Sequence, residues 1–600
     1  MIDGRAARAM AAIRRENRAE RAGSVRQTTR PTPEPRSLRK PSERQECRVR
    51  LAISSERDRV RAAGVGASWS ARGARFLAAN GRHREATGGA ERRTMVMRLL
   101  IVGCIAISVT VATAQTSRRA QIDAWVRANQ KAIVTELVTL LKIPNVAADT
   151  ENIRKNAVLL REMLARRGFT AELLETNGNP LVWGELKTPG ATRTLLLYAH
   201  YDGQPVNPKD WRQSSPFTPL LRDGRMEDGA QELGDPLARQ SYEPHERIYA
   251  RSASDDKSPI VALLAAFDAL KVARVQPTSN IRIILDGEEE AGSPNIVPAI
   301  GKYRDKLTAD AMFIFDGPVH PSERPTIVYG ARGTLPVQLT VFGPKFPLHS
   351  GHYGNWVPNP AMRLAELLAT MKDDNGKVTI EGFYDGIPPF SAEERAILDG
   401  VPDDAAALQK LFGVASPEAP GLKLQDALQY PSLNVRGLSS AFVGGDARTI
   451  IPATAIAELD IRLVKETPAR RMHELLLTHI RKQGWHVVTS DPDDATRAKF
   501  SRIVKVTTRG DGTNAYRTSP LLPISKQVVA AMTTMFGQPP VQIRTSGGTV
   551  PIVHFIDALG FPAMSVTVVN FDNNQHGENE NLRLGHFFRA IPTLAAVLTM

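Results

Sequence analysis

The stretch Leu195-Leu-Leu-Tyr-Ala-His-Tyr-Asp-Gly-Gln-Pro205 decides the fold of this chain of 600 residues. Its apolar run ends in His200 and Asp202, and a Gly and a Pro follow. This pattern predicts a buried strand that presents an imidazole and a carboxylate at its carboxyl end. Ligands bind at that edge of open α/β sheets. The alternative is a histidine that ends an ordinary core strand, with the aspartate in a turn.

Predicted strands and helices alternate on both sides of this stretch. Helices are predicted over 118–141, 153–167 and 259–272, and strands over 170–175, 181–185, 281–285 and 311–315. The alternation predicts an α/β fold, with a mostly parallel sheet flanked by helices. The segment Trp211–Arg247 is polar and contains Gly and Pro, so it is predicted to be a surface loop.

The pattern changes near Thr326 and resumes after Pro520. Between these points, the periodicity predicts an inserted α+β domain over 327–516, with about four strands and two helices. The first domain would then consist of residues 118–326 and 517–600.

The basic charge of the chain is concentrated at its beginning. Residues 1–94 carry 23 Lys and Arg against 10 Asp and Glu, so they account for nearly all of the net charge of +14. The rest of the chain is almost neutral, and the high charge therefore does not indicate a nucleic-acid-binding protein. We predict that residues 1–94 are a non-native or disordered Arg-rich extension.

Residues 95–114 have the features of a secretory signal peptide. Arg98 precedes an apolar run, and Ala112-Thr-Ala114 supplies the small residues expected before a cleavage site. We expect an exported protein, periplasmic or extracellular, and no stable membrane anchor, because the run is too short to span a bilayer. A lipid anchor at Cys104 is the weaker alternative. With Cys47 and Cys104 removed, no thiol would remain, and any metal would be held by His, Asp and Glu.

Acids and histidines gather in four loops that follow predicted strands or an extended segment, and in a fifth near the C-terminus. These loops contain His200 with Asp202, Asp255-Asp-Lys257, Glu288-Glu-Glu290, Asp316 and His576. Clustered carboxylates raise one another's pKa unless cations or protons neutralise them. Two imidazoles with three or more carboxylates suit one or two Zn²⁺, Mn²⁺ or Co²⁺ ions. Adjacent Glu289 and Glu290 leave one carboxylate for a metal and one for proton transfer.

In these motifs, their order and their spacing, the chain resembles the M20 metallopeptidases, and within them the carnosinase-type and nonspecific dipeptidases. The likeness covers roughly residues 120–600. The matching segments are His200–Pro205, Ser254–Lys257, Gly287–Ser293, Asp316, Leu348–Gly351 with Tyr353–Gly354, Asn359–Pro360, Gly547–Pro551, and His576 with Asn579–Glu580.

The resemblance implies a catalytic domain with two divalent ions, of which Zn²⁺ is the first expectation. It implies that Asp255 bridges both ions, that Glu290 and His576 complete one site, and that His200 and Asp316 complete the other. Glu289 is implied to be the general base. Asp202 is implied to hold the ring of His200, which fixes the tautomer of that ligand.

The resemblance also assigns residues to the substrate and to a partner. His349 would come from the inserted lid domain of the partner subunit and stabilise the oxyanion, which implies a homodimer. Arg462 would bind the terminal carboxylate of a small peptide. Gly547, Gly548 and Thr549 would contribute backbone and hydroxyl contacts.

The sequence therefore predicts a secreted dinuclear metallohydrolase that cleaves dipeptides or short peptides. An N-acyl amino acid hydrolase or desuccinylase of the same fold is the first alternative, and an inactive binding scaffold is the second. Where relatives often have Gly-Arg-Gly before the bridging aspartate, this chain has Ala250-Arg251-Ser252. Ser258, Pro347 and Thr545-Ser546 also depart from the family pattern. None of these changes removes a predicted ligand, so they bear on the substrate range.

Overall fold

A computed structural model describes residues 118–419, 421–550 and 552–600. The predicted extension and signal peptide, with both cysteines, lie outside the described residues. The strands in chain order are β1 (Thr170–Leu174), β2 (Leu181–Leu186), β3 (Thr194–His200), β4 (Leu220–Arg222), β5 (Glu232–Gly234), β6 (Arg247–Tyr249), β7 (Asn280–Asp286), β8 (Ala311–Ile314), β9 (Thr326–Val328), β10 (Gly330–Ala331), β11 (Gly333–Phe342), β12 (Leu348–His349), β13 (Ser432–Ser439), β14 (Ile450–Ile451), β15 (Thr454–Leu463), β16 (His486–Val488), β17 (Ile503–Thr508), β18 (Tyr516–Arg517), β19 (Val541–Ile543), β20 (Ala563–Thr567) and β21 (Asn581–Arg583).

Helices connect many of these strands. Among the described residues, the first helix covers 118–141. The other α-helices are Thr150–Ala165, Lys257–Val272, Ile296–Lys302, Arg304–Leu307, Ser350–Tyr353, Pro360–Ala369, Ala392–Asp399, Ala405–Phe412, Leu424–Ala427, Ala469–Lys482, Asp494–Lys499, Pro523–Phe536, Val553–Leu559 and Leu584–Leu598. In the described part of the chain, no helix combines the length and the apolar character needed to cross a bilayer.

The larger sheet has eight strands in the order β1-β2-β7-β3-β8-β20-β9-β19. The central strands β7, β3, β8 and β20 run parallel to one another, whereas β1, β2 and β9 add antiparallel pairings toward the edges. The α/β fold class predicted from the sequence is therefore confirmed, with a parallel centre. The strand β3, which the apolar run before His200 predicted, lies in the middle of this sheet.

Helices cover both faces of this sheet, as β3 demonstrates. Leu195, Leu197 and Ala199 belong to a core packed by the helices 118–141, Lys257–Val272 and Leu584–Leu598. The alternate residues Leu196 and Tyr198 belong to a second core on the opposite face. Because successive side chains of a strand point to opposite faces, a strand buried on both is continuously apolar.

A second sheet has five strands in the order β13-β15-β11-β17-β16 and its own hydrophobic core. Every second residue of β15 is buried, and the helices Pro360–Ala369 and Ala469–Lys482 pack on that face. The described members of this core lie between Leu335 and Val504, inside the segment predicted to form the inserted domain. The precise domain boundaries at 326 and 516 stay predictions.

The segment Trp211–Arg247 is not the surface loop predicted from its composition. It contributes β4, β5 and the start of β6 to a sheet of order β21-β6-β4-β5, and Trp211, Leu221 and Tyr242 are buried. Strands of three residues are too short for alternation to register in the sequence. This small sheet carries β21 directly beside the loop of His576.

Candidate metal centre

The carboxyl ends of three neighbouring parallel strands carry the predicted site. His200 is the last residue of β3 and pairs in register with Asp286, the last residue of β7. The acidic segment Glu288–Glu290 follows β7, and Asp316 follows β8 by two residues. Parallel neighbours end at the same edge of a sheet, so these side chains come together there.

Two further ligand candidates reach this edge from loops. Asp255 lies just before the helix Lys257–Val272, and its peptide bond to Asp256 is cis. Its Oδ1 lies 3.0 Å from Nε2 of His200, and its Oδ2 lies 3.2 Å from Nε2 of His576. His576 Nε2 also lies 3.5 Å from Oε2 of Glu290. Asp255 therefore stands between the two histidines.

The residues form two groups, each suited to one ion, that share Asp255. His200, Asp255 and Asp316 form the first group, and Asp255, Glu290 and His576 form the second. In each group the ligand atoms lie within 4.8 Å of one another. The arrangement coincides with the ligand sets that the resemblance implied, and the individual roles stay predictions.

The chemistry of this cluster fits divalent cations. Oδ1 of Asp316 is buried and has no hydrogen-bond donor among the described residues. Burial, followed by the charge of Asp255, raises the pKa of Asp316 to about 6 and that of Glu290 to about 7. Although burial opposes it, pairing with His200 and His576 lowers the pKa of Asp255. Without cations the carboxylates repel one another, and two divalent ions would neutralise them.

Asp202 holds both the histidine and the acidic segment. Its Oδ1 lies 3.3 Å from Nδ1 of His200, the nitrogen that faces away from Asp255. Its two carboxylate oxygens also accept hydrogen bonds from the backbone N–H groups of Glu289 and Glu290, each at 3.1 Å. Asp202 thus orients a ligand from each group, more than the sequence indicated.

The two glutamates at the start of the acidic segment have different environments. Glu288 accepts hydrogen bonds from the backbone N–H of Asn179 and from the side chain of Asn295. Among the described residues, no donor contacts the carboxylate of Glu289, and burial raises its pKa well above the usual range. Glu289 is therefore the carboxylate that remains available to a reacting group.

Two of the residues predicted to bind the substrate, Arg462 and Thr549, lie in contact beside the five-stranded sheet. Arg462 of β15 donates to Oγ1 of Thr549 at 3.1 Å and to Asp460 at 3.0 Å. Oγ1 of Thr549 in turn donates to the backbone carbonyl of Arg332. A Cβ at Gly548 would meet no atom within 4 Å, so open space adjoins its backbone. Pro551 of this motif lies outside the described residues.

His349 is not part of the metal cluster of its own chain. It is exposed at the end of β12, its Nδ1 accepts a hydrogen bond from the backbone of Gly351, and its ring lies 4.5 Å from that of His352. The described contacts bring it to none of the metal-binding candidates. Its predicted action in the site of a partner subunit stays a prediction.

Two polar residues beside the ligands were missed by the sequence reasoning. Gln204 donates to Oε2 of Glu290 at 2.5 Å, and the buried Asp256 accepts the backbone N–H of His200 at 3.2 Å. Both stand inside the motifs quoted for the resemblance. Their position next to predicted ligands was the available signal, but their partners are distant in the sequence.

Comparisons with known proteins agree with this geometry. Residues 228–600 match the family described as Peptidase family M20/M25/M40. The Cys-Gly metallodipeptidase DUG1 of Candida albicans is 26% identical over 78% of this chain and 93% of its own length. The Beta-Ala-His dipeptidase of Mus musculus is 24% identical over 70% of this chain and 79% of its own length.

A solved structure shares the fold as well. The M20 family metallo-carboxypeptidase Sso-CP2 from Sulfolobus solfataricus is 30% identical, with a TM-score of 0.63, over 78% of this chain and 98% of that one. The family match covers more than half of the chain and includes four of the five predicted ligands. The chain therefore belongs to peptidase family M20/M25/M40, and it is a metallopeptidase with a site for two divalent metals.

Proposed function

We propose that this chain hydrolyses the amide bond of dipeptides or short peptides, with Glu289 as the general base. The observation that carries the proposal is the pair of ligand groups sharing Asp255, beside a half-buried Glu289 carboxylate that contacts no described donor. The relatives are dipeptidases for Cys-Gly and for Beta-Ala-His, which supports dipeptides as the substrate class.

The residues divide the chemistry between them. When bound, the two cations supply Lewis acidity, which makes water more acidic and polarises a carbonyl group. Glu289 accepts the proton that the attacking water loses, and it returns that proton to the departing amine nitrogen as the C–N bond breaks. Asp202 keeps Glu289 in place through the backbone N–H that it accepts.

Arg462 and Thr549 hold the far end of the substrate. A guanidinium binds a carboxylate with two parallel hydrogen bonds, which fixes the distance from the free C-terminus to the scissile bond. The contact between Arg462 and Thr549 orients that guanidinium before the peptide arrives. Gly547 and Gly548 leave their backbone groups accessible to the peptide.

A homodimer is part of the proposal. Large apolar side chains are exposed on the domain that carries the five-stranded sheet, among them Trp356 (81%), Leu438 (65%) and Val443 (84%). In the proposed dimer the partner subunit covers these side chains, since large exposed apolar patches mark protein–protein interfaces. In the dimer, the partner subunit's His349 would donate to the oxyanion of the tetrahedral intermediate.

The ions and the location complete the proposal. We infer Zn²⁺ as the metal in use, because imidazole and carboxylate ligands without thiols suit it, with Mn²⁺ or Co²⁺ as substitutes. The signal-like segment 95–114 supports export followed by cleavage near Ala114. N-terminal sequencing of the protein recovered from its host compartment tests the cleavage point.

The substitution Glu289→Gln tests the mechanism. We expect a loss of kcat of roughly 10²–10⁴-fold, the usual contribution of a positioned base, with both metals retained. Glu288→Gln is the matched control, because its carboxylate contacts Asn179 and Asn295 instead of the cluster. Full activity in Glu289→Gln would refute the assignment. Mixing His349→Ala with Glu289→Gln subunits should restore some activity if the site is shared.

The alternative substrate class is an N-acyl amino acid. Arg462 would bind its carboxylate equally well, so the two classes differ in the group on the other side of the amide. A panel of dipeptides and N-acyl amino acids, assayed with each metal, separates them. Higher kcat/KM for dipeptides supports the proposal, and preference for N-acyl amino acids favours the alternative.

A further inference from the structure

Glu580 is a buried carboxylate that the proposed mechanism does not use. It ends the segment Asn573–Glu580, which also carries His576, and it directly precedes β21. Its relative exposure is 0%. A carboxylate so placed must be fully paired, because the burial of a charge without partners is strongly unfavourable.

Four donors from one short loop satisfy this carboxylate. Oε1 accepts the backbone N–H groups of Ser254 and Asp255, both at 2.9 Å. Oε2 accepts the backbone N–H of Ser252 at 2.9 Å and Nη1 of Arg251 at 2.8 Å. The loop that presents Asp255 to the ions is therefore folded around the carboxylate of Glu580.

Arg251 connects this loop to the backbone beside His576. While its Nη1 pairs with Glu580, its Nη2 donates to the backbone carbonyl of Gly577 at 3.1 Å. Gly577 follows His576 directly, so the ion pair joins the Asp255 loop to the His576 loop at two points. These loops are more than 300 residues apart in the chain, and the separation of 3.2 Å between Asp255 and His576 depends on how they are joined.

We propose that Glu580, paired with Arg251, is a positioning residue that sets the spacing of Asp255 and His576 for their shared metal ion. The inference rests on the metal site of the proposed function, and it deepens that site. Glu290, the third ligand of this ion, is held separately by Asp202 and Gln204. Loss of Glu580 should therefore affect the ion bound by His576 more than the ion bound by His200.

The amide of glutamine cannot replace this carboxylate. Only one of its two terminal atoms accepts hydrogen bonds, so its NH₂ group would face two donors of the loop. The substitution Glu580→Gln keeps the volume and changes the hydrogen bonding. Residues that orient metal ligands typically contribute about 10–100-fold to metal affinity.

Metal titration of the full chain after chelation tests the inference. The binding of Zn²⁺ is measured by calorimetry. We expect one of the two sites to bind Zn²⁺ about 10–100-fold more weakly in Glu580→Gln than in the wild type. Glu246→Gln is the matched control, since Glu246 is also buried but pairs with Arg239 and the backbone of Glu243. That control should lower the melting temperature and leave both Zn²⁺ affinities unchanged.

Arg251→Lys is the second variant if Glu580→Gln does not fold. A lysine keeps the charge beside Glu580 and loses the contact with Gly577, so a smaller weakening at the same site is expected. The inference would be overturned if the variant that folds kept both Zn²⁺ affinities while its melting temperature fell as low as that of Glu246→Gln. The titration uses no substrate, so a failed peptidase assay would count against the proposed function alone.

Discussion

Gly203 and Ser252 lie so close together that the side chain tolerated at one position depends on the side chain at the other. A Cβ built on Gly203 lies 2.2 Å from Oγ of Ser252, 3.2 Å from Nδ2 of Asn145 and 3.3 Å from Cδ of Arg251. Ser252 itself has φ of +63°, a left-handed conformation that favours glycine. Its Oγ is held in place by a hydrogen bond from Asn145 at 2.9 Å.

The magnitudes follow from these contacts. Gly203→Ala should destabilise the fold by about 1–3 kcal/mol, because the new methyl group displaces the Ser252 hydroxyl. Ser252→Gly should change stability by less than about 1 kcal/mol, because relief of the left-handed conformation offsets the lost hydrogen bond. In the double variant the methyl group enters the vacated space, so most of the cost of Gly203→Ala should disappear.

Urea unfolding of the four proteins after chelation gives the coupling energy of this cycle. We expect a favourable coupling of about 1–3 kcal/mol, within the range seen for residues in contact. Equal costs of Gly203→Ala in the serine and glycine backgrounds would refute the reasoning, since the hydroxyl would then not be the obstacle. The Zn²⁺ affinities of the double variant provide a check that the neighbouring loop has kept its shape.

Three further changes test other parts of the structure. Arg462→Lys should raise KM for dipeptides by roughly 10–100-fold with little change in kcat, and a dipeptide with an amidated C-terminus should be insensitive to the change. Asp202→Asn should weaken Zn²⁺ binding by about 10–100-fold in calorimetry, because the negative charge beside Nδ1 of His200 is lost and the amide NH₂ faces a backbone N–H group that the carboxylate accepts. Burial, Arg589 and Arg583 lower the pKa of His586 to about 3, so the unfolded chain binds one more proton between pH 6.5 and 3. Stability should therefore fall with acid by up to about 1.4 kcal/mol per pH unit, and urea midpoints of His586→Gln should depend less on pH across that window.

The parallel centre of the sheet could be predicted from the sequence because its strands are buried on both faces. The apolar runs before His200 and Asp316 each end in a polar residue, and parallel strands bring such ends together. The metal-binding candidates of two separate groups could therefore be placed at one edge without knowledge of side-chain orientation.

Contacts between distant segments could not be predicted in the same way. The strands of Trp211–Arg247 are three residues long, so they leave no periodic signal. Glu580 resembles any acid in a polar loop until the donors around it are known, and the left-handed conformation of Ser252 is not apparent from a serine. The role proposed for His349 requires a second copy of the chain, which no single sequence describes.

The eight-stranded sheet is built from two separate parts of the chain, and this imposes an order on folding during synthesis. The five-stranded sheet is built from one continuous stretch, so it can fold as soon as that stretch leaves the ribosome. The eight-stranded sheet must wait for β19 and β20, and the core around β3 must wait for the helix Leu584–Leu598. A nascent chain that has not reached His576 has Asp255 without the second histidine, so the candidate metal centre is completed only after residue 576 has been synthesised.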